Sequence, residues 1–113
     1  MRYVVWATDR EGSLPDRLRV REEHRARLRN PAPHAVNVLL AGPTLEEAGL
    51  NMNGTLLVVE AASAEAVRGF IADDPYMRYG VYLSVEIRPW HCGLGPLSLP
   101  AEHTPSPTTS TSS

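Results

Sequence analysis

Residues 81–88 alternate without a fault: Val81, Leu83, Val85 and Ile87 fall on one side of an extended chain, and Tyr82, Ser84, Glu86 and Arg88 on the other. Successive side chains of a strand point to opposite faces, so this run commits the chain to a sheet with one covered apolar face. Three more runs have strand character. Residues 2–8 are β-branched and aromatic, with Tyr3, Val5 and Ala7 on one side and Val4 and Trp6 on the other, and both sides read as buried. Residues 35–41 stop at Gly42-Pro43, and residues 55–62 are nearly continuous in apolar residues, as a central strand requires. The glycine-bearing segment 44–54 between them reads as a turn-rich connection.

Two helical stretches separate these strands. Ser13 is placed to cap a helix over residues 14–29, which Asn30-Pro31-Ala32-Pro33 stops. On it Val20, His24 and Leu28 form one stripe with Leu14 and Leu18 beside it, and Arg19, Glu23 and Arg27 form a solvated ion-pair ladder. Arg17, Arg21 and Arg25 fall near the inward side and must snorkel or line a polar cavity. Ser63 caps a second helix over residues 64–73, where Val67, Phe70 and Ile71 make an apolar face and Pro75 ends the run.

The order strand, helix, strand, strand, helix, strand is the split βαβ arrangement, a ferredoxin-like βαββαβ unit of the α+β class with two helices on one face of an antiparallel sheet. The other face, carrying Val4 and Trp6, then calls for a face-to-face homodimer that closes two sheets around a cavity. At 113 residues the chain holds one core, read as a domain over residues 1–92 followed by a Pro/Ser/Thr-rich tail over 93–113, with 101–113 disordered.

Charge and cysteine content exclude several function classes. A net charge of −2 gives no strongly basic surface for nucleic acid or an anionic membrane. Six of the eleven basic residues, all Arg, sit between Arg17 and Arg29. One cysteine, Cys92, excludes an internal disulfide and a Cys-based metal cluster, and suits a reducing cytoplasm. No signal-type leader or run of roughly 20 apolar residues is present.

Residues able to do chemistry are few. Neither a phosphate-cradling glycine loop nor an HExxH or GxSxG motif occurs. With the helices side by side, His24 and the Asp73-Asp74-Pro75 corner are brought within reach, and a carboxylate on one imidazole nitrogen leaves the other free as a general acid or base. The competing readings are a histidine at the edge of a helix face and an aspartate that only starts a turn. His91-Cys92 lacks the further ligands a metal site needs. An arginine in a cavity suits a carboxylate or phenolate ligand.

The opening strand followed by TDREGS, the segment VREEHRARL, the strand ending LLAGP, and GTLLVVEAASAEAVRGFIADDPYMRYGVYLSVEIRPW together resemble the YCII-related (YciI-like) family over about residues 1–91. The resemblance implies a dimeric α/β barrel and a site made of His24 and Asp74. The family often has Ser after the glycine of its third strand; Gly54-Thr55 keeps a hydroxyl there, while His91 replaces the basic residue usual after RPW. Members with an activity use a His-Asp pair on small hydroxylated or chlorinated aromatic and lactone-like compounds.

The expectation is therefore a cofactor-independent enzyme performing isomerisation, elimination or dehydrohalogenation on a small aromatic or lactone-like acid. His24 and Asp74 are its catalytic pair, Thr55, Arg21 and Arg25 bind substrate, and no metal is involved. Two readings compete with it: a non-catalytic ligand-binding or regulatory module, and haem binding through His24 or His91.

Overall fold

The computed structural model describes residues 1–98, so the tail stretch 101–113 lies outside the described residues. The elements run β1 (Arg2–Asp9), α1 (Leu14–Arg19), α2 (Arg21–Arg29), β2 (Val36–Leu45), β3 (Met52–Ala61), α3 (Ala64–Ala72), α4 (Pro75–Arg78) and β4 (Tyr82–Trp90). The strands form one antiparallel sheet in the order β2-β3-β1-β4, the ferredoxin-like arrangement. Among the described residues no helix is long and apolar enough to cross a membrane.

One face of the sheet carries the core. Tyr3 and Val5 of β1 and Leu57, Val59 and Ala61 of β3 pack against Val67, Phe70 and Ile71 of α3. Those three helix positions are the apolar stripe expected for α3, and Ser63 caps the helix by accepting from the Ala66 amide at 3.1 Å. A second cluster of Ala7, Val20, Tyr76, Val81 and Tyr82 continues the core toward the candidate site. Burying a side chain such as Leu57 or Val59 contributes about 1.5–3 kcal/mol.

The expected single helix over 14–29 is broken in two at Val20, whose φ of −107° and ψ of 14° leave the helical region. Val20 is itself buried, in the cluster that holds Tyr76 and Val81. The break separates Arg19 from Glu23, and Glu23 and Arg27, both within α2, are drawn to partners on the α3–α4 corner, so the expected ion-pair ladder does not form. Arg19 pairs with Asp16, Glu23 with Arg78, and Arg27 with Asp74. Leu18, expected beside the inward stripe, is 51% exposed. Ser13 makes no capping bond; its hydroxyl donates to the Arg10 carbonyl at 2.7 Å.

Both strands of the β2–β3 hairpin are longer than the turn residues predict. β2 runs through Gly42-Pro43 because it is the sheet's edge, where a residue without an N–H leaves no neighbour unpaired on its outer side. The expected connection over 44–54 shrinks to the turn between Leu45 and Met52. In β4 the alternation is interrupted: Thr8 pairs with Ser84 but Asp9 with Tyr82, which leaves Leu83 in a bulge. Tyr82 turns inward while Leu83 is 61% exposed. The second helix ends at Ala72, ahead of Pro75 as expected, and Pro75 then opens the short α4, with Asp74 as its N-cap.

Gly54 in β3 is a point of close approach. A Cβ there would overlap the Ala7 carbonyl oxygen and come within 2.6 Å of Thr44 Oγ1. Ala7 is pinned in the sheet between β3 and β4, so its carbonyl has little room to yield. Gly54→Ala should therefore destabilise the domain by about 1–3 kcal/mol, the usual cost of overpacking. Urea unfolding reads this directly, and an unchanged midpoint would show that the strands separate freely here.

The face away from the helices is open. Trp6, Leu40, Leu56 and Trp90 are 50%, 54%, 37% and 38% exposed on it. Trp6 and Leu56 are directly paired across β1 and β3, with Val4 and Val58 the next pair along. Contrary to the expectation that both sides of β1 are buried, only the Tyr3, Val5 and Ala7 side is buried within the described chain.

Candidate active site

His24 and Asp74 meet between α2 and the α3–α4 corner. His24 Nδ1 lies 2.9 Å from each carboxylate oxygen of Asp74. Asp74 is fully buried and its oxygens are saturated: Oδ1 also accepts from the Tyr76 amide at 2.8 Å, and Oδ2 faces Arg27 Nη1 at 3.5 Å. The Asp-Pro sequence explains this placement. Asp74 takes extended φ and ψ before Pro75, as residues preceding proline do, and its side chain folds back to cap the helix that Pro75 begins. A carboxylate held this way fixes Nδ1 as the bonded nitrogen and leaves Nε2 available.

The imidazole is also held flat. Its ring stacks on Tyr76 at 4.0 Å between centroids and 19° between planes. Arg17 lies over the same Tyr76 ring, 4.4 Å from its centre. Arg17 is buried and gripped: Nε and Nη2 donate to the two oxygens of Asp9 at 2.7 and 3.1 Å, and Nη2 donates to Thr55 Oγ1 at 2.5 Å. Burial works against the guanidinium charge, but the bonds to Asp9 and the attraction of its carboxylate outweigh it and hold Arg17 above its ordinary range. Burial pushes the Tyr76 phenol up, and it pushes the Tyr82 phenol up as well, with the Asp74 charge as the next cause. Both phenols stay protonated at neutral pH.

These groups surround a cavity of about 280 Å³ between α1, α2 and the hairpin. Its walls include Arg17, Arg21, His24, Arg25 and Arg29 on the helices, Thr55 on β3, and Tyr76, with Ala41, Gly42, Pro43 and Met52 closing the hairpin side. Of the five residues named from the sequence, His24, Thr55, Arg21 and Arg25 thus line one cavity, and Asp74 sits behind His24. The two neighbouring aspartates are separated by their partners: Asp73 binds His34 Nε2 at 2.6 Å near the surface, and Asp74 binds His24. His91 is exposed at the end of β4, and Cys92 donates to the Leu94 carbonyl at 3.3 Å; neither lines the cavity. Among the described residues no three His, Cys, Asp or Glu side chains gather as metal ligands.

Sequence reasoning missed Asp9, the role of Tyr76 as a stacking surface, and Arg27 as a second cation on Asp74. Arg17 did carry a signal, since its spacing to Arg21 and Arg25 pointed toward a polar cavity. Its partner Asp9, at the end of a strand before a turn, carried none.

The YCII-related domain matches residues 1–91. An uncharacterised protein of Haemophilus influenzae is 37% identical over 98 residues, covering 80% of this chain and 96% of its own. Protein YciI of Escherichia coli is 34% identical over 95 residues, with the same coverage of 80% and 96%. Among solved structures, the 5-chloro-2-hydroxyhydroquinone dehydrochlorinase TftG of Burkholderia phenoliruptrix AC1100, in complex with 2,5-dihydroxybenzoquinone, aligns with a TM-score of 0.73 and 28% identity, covering 82% of this chain and 96% of that one. Protein Atu4242 of Agrobacterium tumefaciens shares the fold at a TM-score of 0.51 and 18% identity, over 86% of this chain and 99% of that one.

Proposed function

The chain belongs to the YCII-related domain family, and from that premise we propose that it is a cofactor-independent enzyme moving a proton on a small hydroxylated aromatic or lactone-like acid. The observation that carries this reading is the buried His24–Asp74 pair at the wall of a cavity large enough for one aromatic ring. TftG, a dehydrochlorinase of similar structure, makes elimination of hydrogen chloride the first reaction to test.

In that reaction His24 Nε2 takes the proton of a ring hydroxyl while Asp74 holds Nδ1 and stabilises the charge gained by the imidazole. The electron pair moves into the ring and the carbon that bears chlorine is protonated; a second ring hydroxyl then loses its proton, its electron pair forms the other carbonyl, and chloride leaves with its bonding pair. The products are a quinone and one equivalent of hydrogen chloride, so no external oxidant is required. Thr55 and the helix arginines bind substrate oxygens in this scheme. The experiment is chloride release from 5-chloro-2-hydroxyhydroquinone under anaerobic conditions, by the wild type and by His24→Gln. Release by both proteins at the same rate, or by neither, removes the support for this function.

The same reading includes a homodimer formed through the open sheet face. Paired apolar side chains such as Trp6 and Leu56 mark a surface that a second copy can cover. Sedimentation should give about twice the 12.4 kDa chain mass for the wild type and a monomer for Leu56→Arg. A wild type that sediments at its chain mass rules out this pairing.

A further inference from the structure

Arg17 has hydrogen-bonding capacity that the fold does not use. A guanidinium carries five N–H bonds. Nε and Nη2 are spent on Asp9 and Thr55, while Nη1 has no partner among the described residues. Nη1 is nonetheless not sealed in the interior, because Arg2 Nε is the only fully buried side-chain nitrogen or oxygen without a partner among the described residues. Arg17 lines the cavity, and Nη1 is the one nitrogen of its guanidinium without a partner among the described residues.

Arg21, the first residue of α2, lines the same cavity half-buried and has no acidic partner among the described residues. The two acids nearest the cavity are already committed, Asp9 to Arg17 and Asp74 to His24 and Arg27. The cavity is therefore a site of net positive charge with a rigid donor at its floor.

We propose that Arg17 is an oxyanion-binding residue: held from behind by Asp9, it offers Nη1 to the phenolate or enolate oxygen of the ligand, and Arg21 supplies a second positive charge. The cavity then selects the ionised form of a phenol or enol over a neutral ring of equal size. Asp9 is the positioning residue. It fixes the guanidinium plane, so that binding the anion requires no reorganisation of the side chain. In turnover this rests on the proton-transfer reading of His24, since Arg17 would hold the oxygen that His24 deprotonates. Binding of the anion stands apart from that reading.

The test is therefore a binding experiment with 4-nitrophenol, whose visible absorbance reports its ionisation, and 4-nitroaniline, a neutral ring of similar shape. The wild type should bind 4-nitrophenolate at least ~10-fold more tightly than 4-nitroaniline, the effect expected of a hydrogen bond to a charged group. It should also lower the pH at which the bound phenol ionises. Asp9→Asn/Arg17→Gln, which removes both buried charges together, should abolish the preference and the absorbance shift, whereas His24→Gln should keep both.

The neutral-ring comparison needs no variant, so the proposal is decided even if the double substitution does not fold. Equal binding of the two probes by the wild type, no binding of 4-nitrophenolate, or an unchanged preference in a folded double variant overturns it. Loss of the preference in the double variant with undiminished chloride release in His24→Gln would instead leave Arg17 in place and remove the proton-transfer reading.

Discussion

Asp74→Ala should destabilise the domain by about 3 kcal/mol or more, the cost of breaking a buried pair by removing one partner. Three groups lose their acceptor at once: His24 Nδ1, the Tyr76 amide and Arg27 Nη1. The capping bond alone is worth ~1 kcal/mol. The remainder depends on what is stranded. Arg27 is partly exposed and can turn to water, and an imidazole has a neutral form, which places the total toward the low end of the ~3–5 kcal/mol range. For a domain whose whole stability is about 5–15 kcal/mol, this is a large fraction, and it corresponds to a melting midpoint lowered by roughly 12–24 °C. Urea unfolding of the single variants and of His24→Ala/Asp74→Ala would measure the coupling between the two residues. Additive losses would mean that the two side chains are neighbours without an energetic link.

The largest effect on activity is expected at His24. His24→Gln keeps a polar side chain beside Asp74 but cannot take up and return a proton, so turnover should fall by about 10²–10⁴-fold, the usual contribution of a positioned acid or base. The loss should appear in kcat with KM changed little, because the ligand's oxygens are held by Arg17, Arg21 and Thr55 rather than by the imidazole. Circular dichroism and the unfolding midpoint of the same sample separate this from a folding defect. A loss smaller than 10-fold would mean that His24 does not carry the proton.

Much of this architecture was legible before any coordinates. Strands with a period of two and helices with a period near 3.6 fixed the element order, and that order brought the first helix beside the Asp73-Asp74-Pro75 corner. The resemblance then singled out Asp74 from Asp73. What stayed hidden are departures of a single residue from regular geometry. The break at Val20 falls where that residue joins a buried cluster with Tyr76 and Val81, far along the chain. The bulge at Leu83 arises from the register of β1 against β4. Local periodicity carries neither signal, yet these departures decide where Arg17 lies and why Tyr82 points inward. The partnership of Arg17 with Asp9 and Thr55 was hidden for the same reason, since it joins α1, β1 and β3 around the point where α1 ends.

Asp74 answers two demands with one side chain, and this narrows what can replace it. Asparagine can accept from the Tyr76 amide and keep the turn, but it brings no charge to His24. Glutamate brings the charge, but its longer side chain does not fold back onto an amide two residues ahead. Drift at this position is closed from both sides: a change neutral for the turn is not neutral for the histidine, and the reverse. A lineage that abandoned the chemistry would still be held to a short polar capping residue here, so an aspartate kept at this corner is weaker testimony to activity than a histidine kept opposite it.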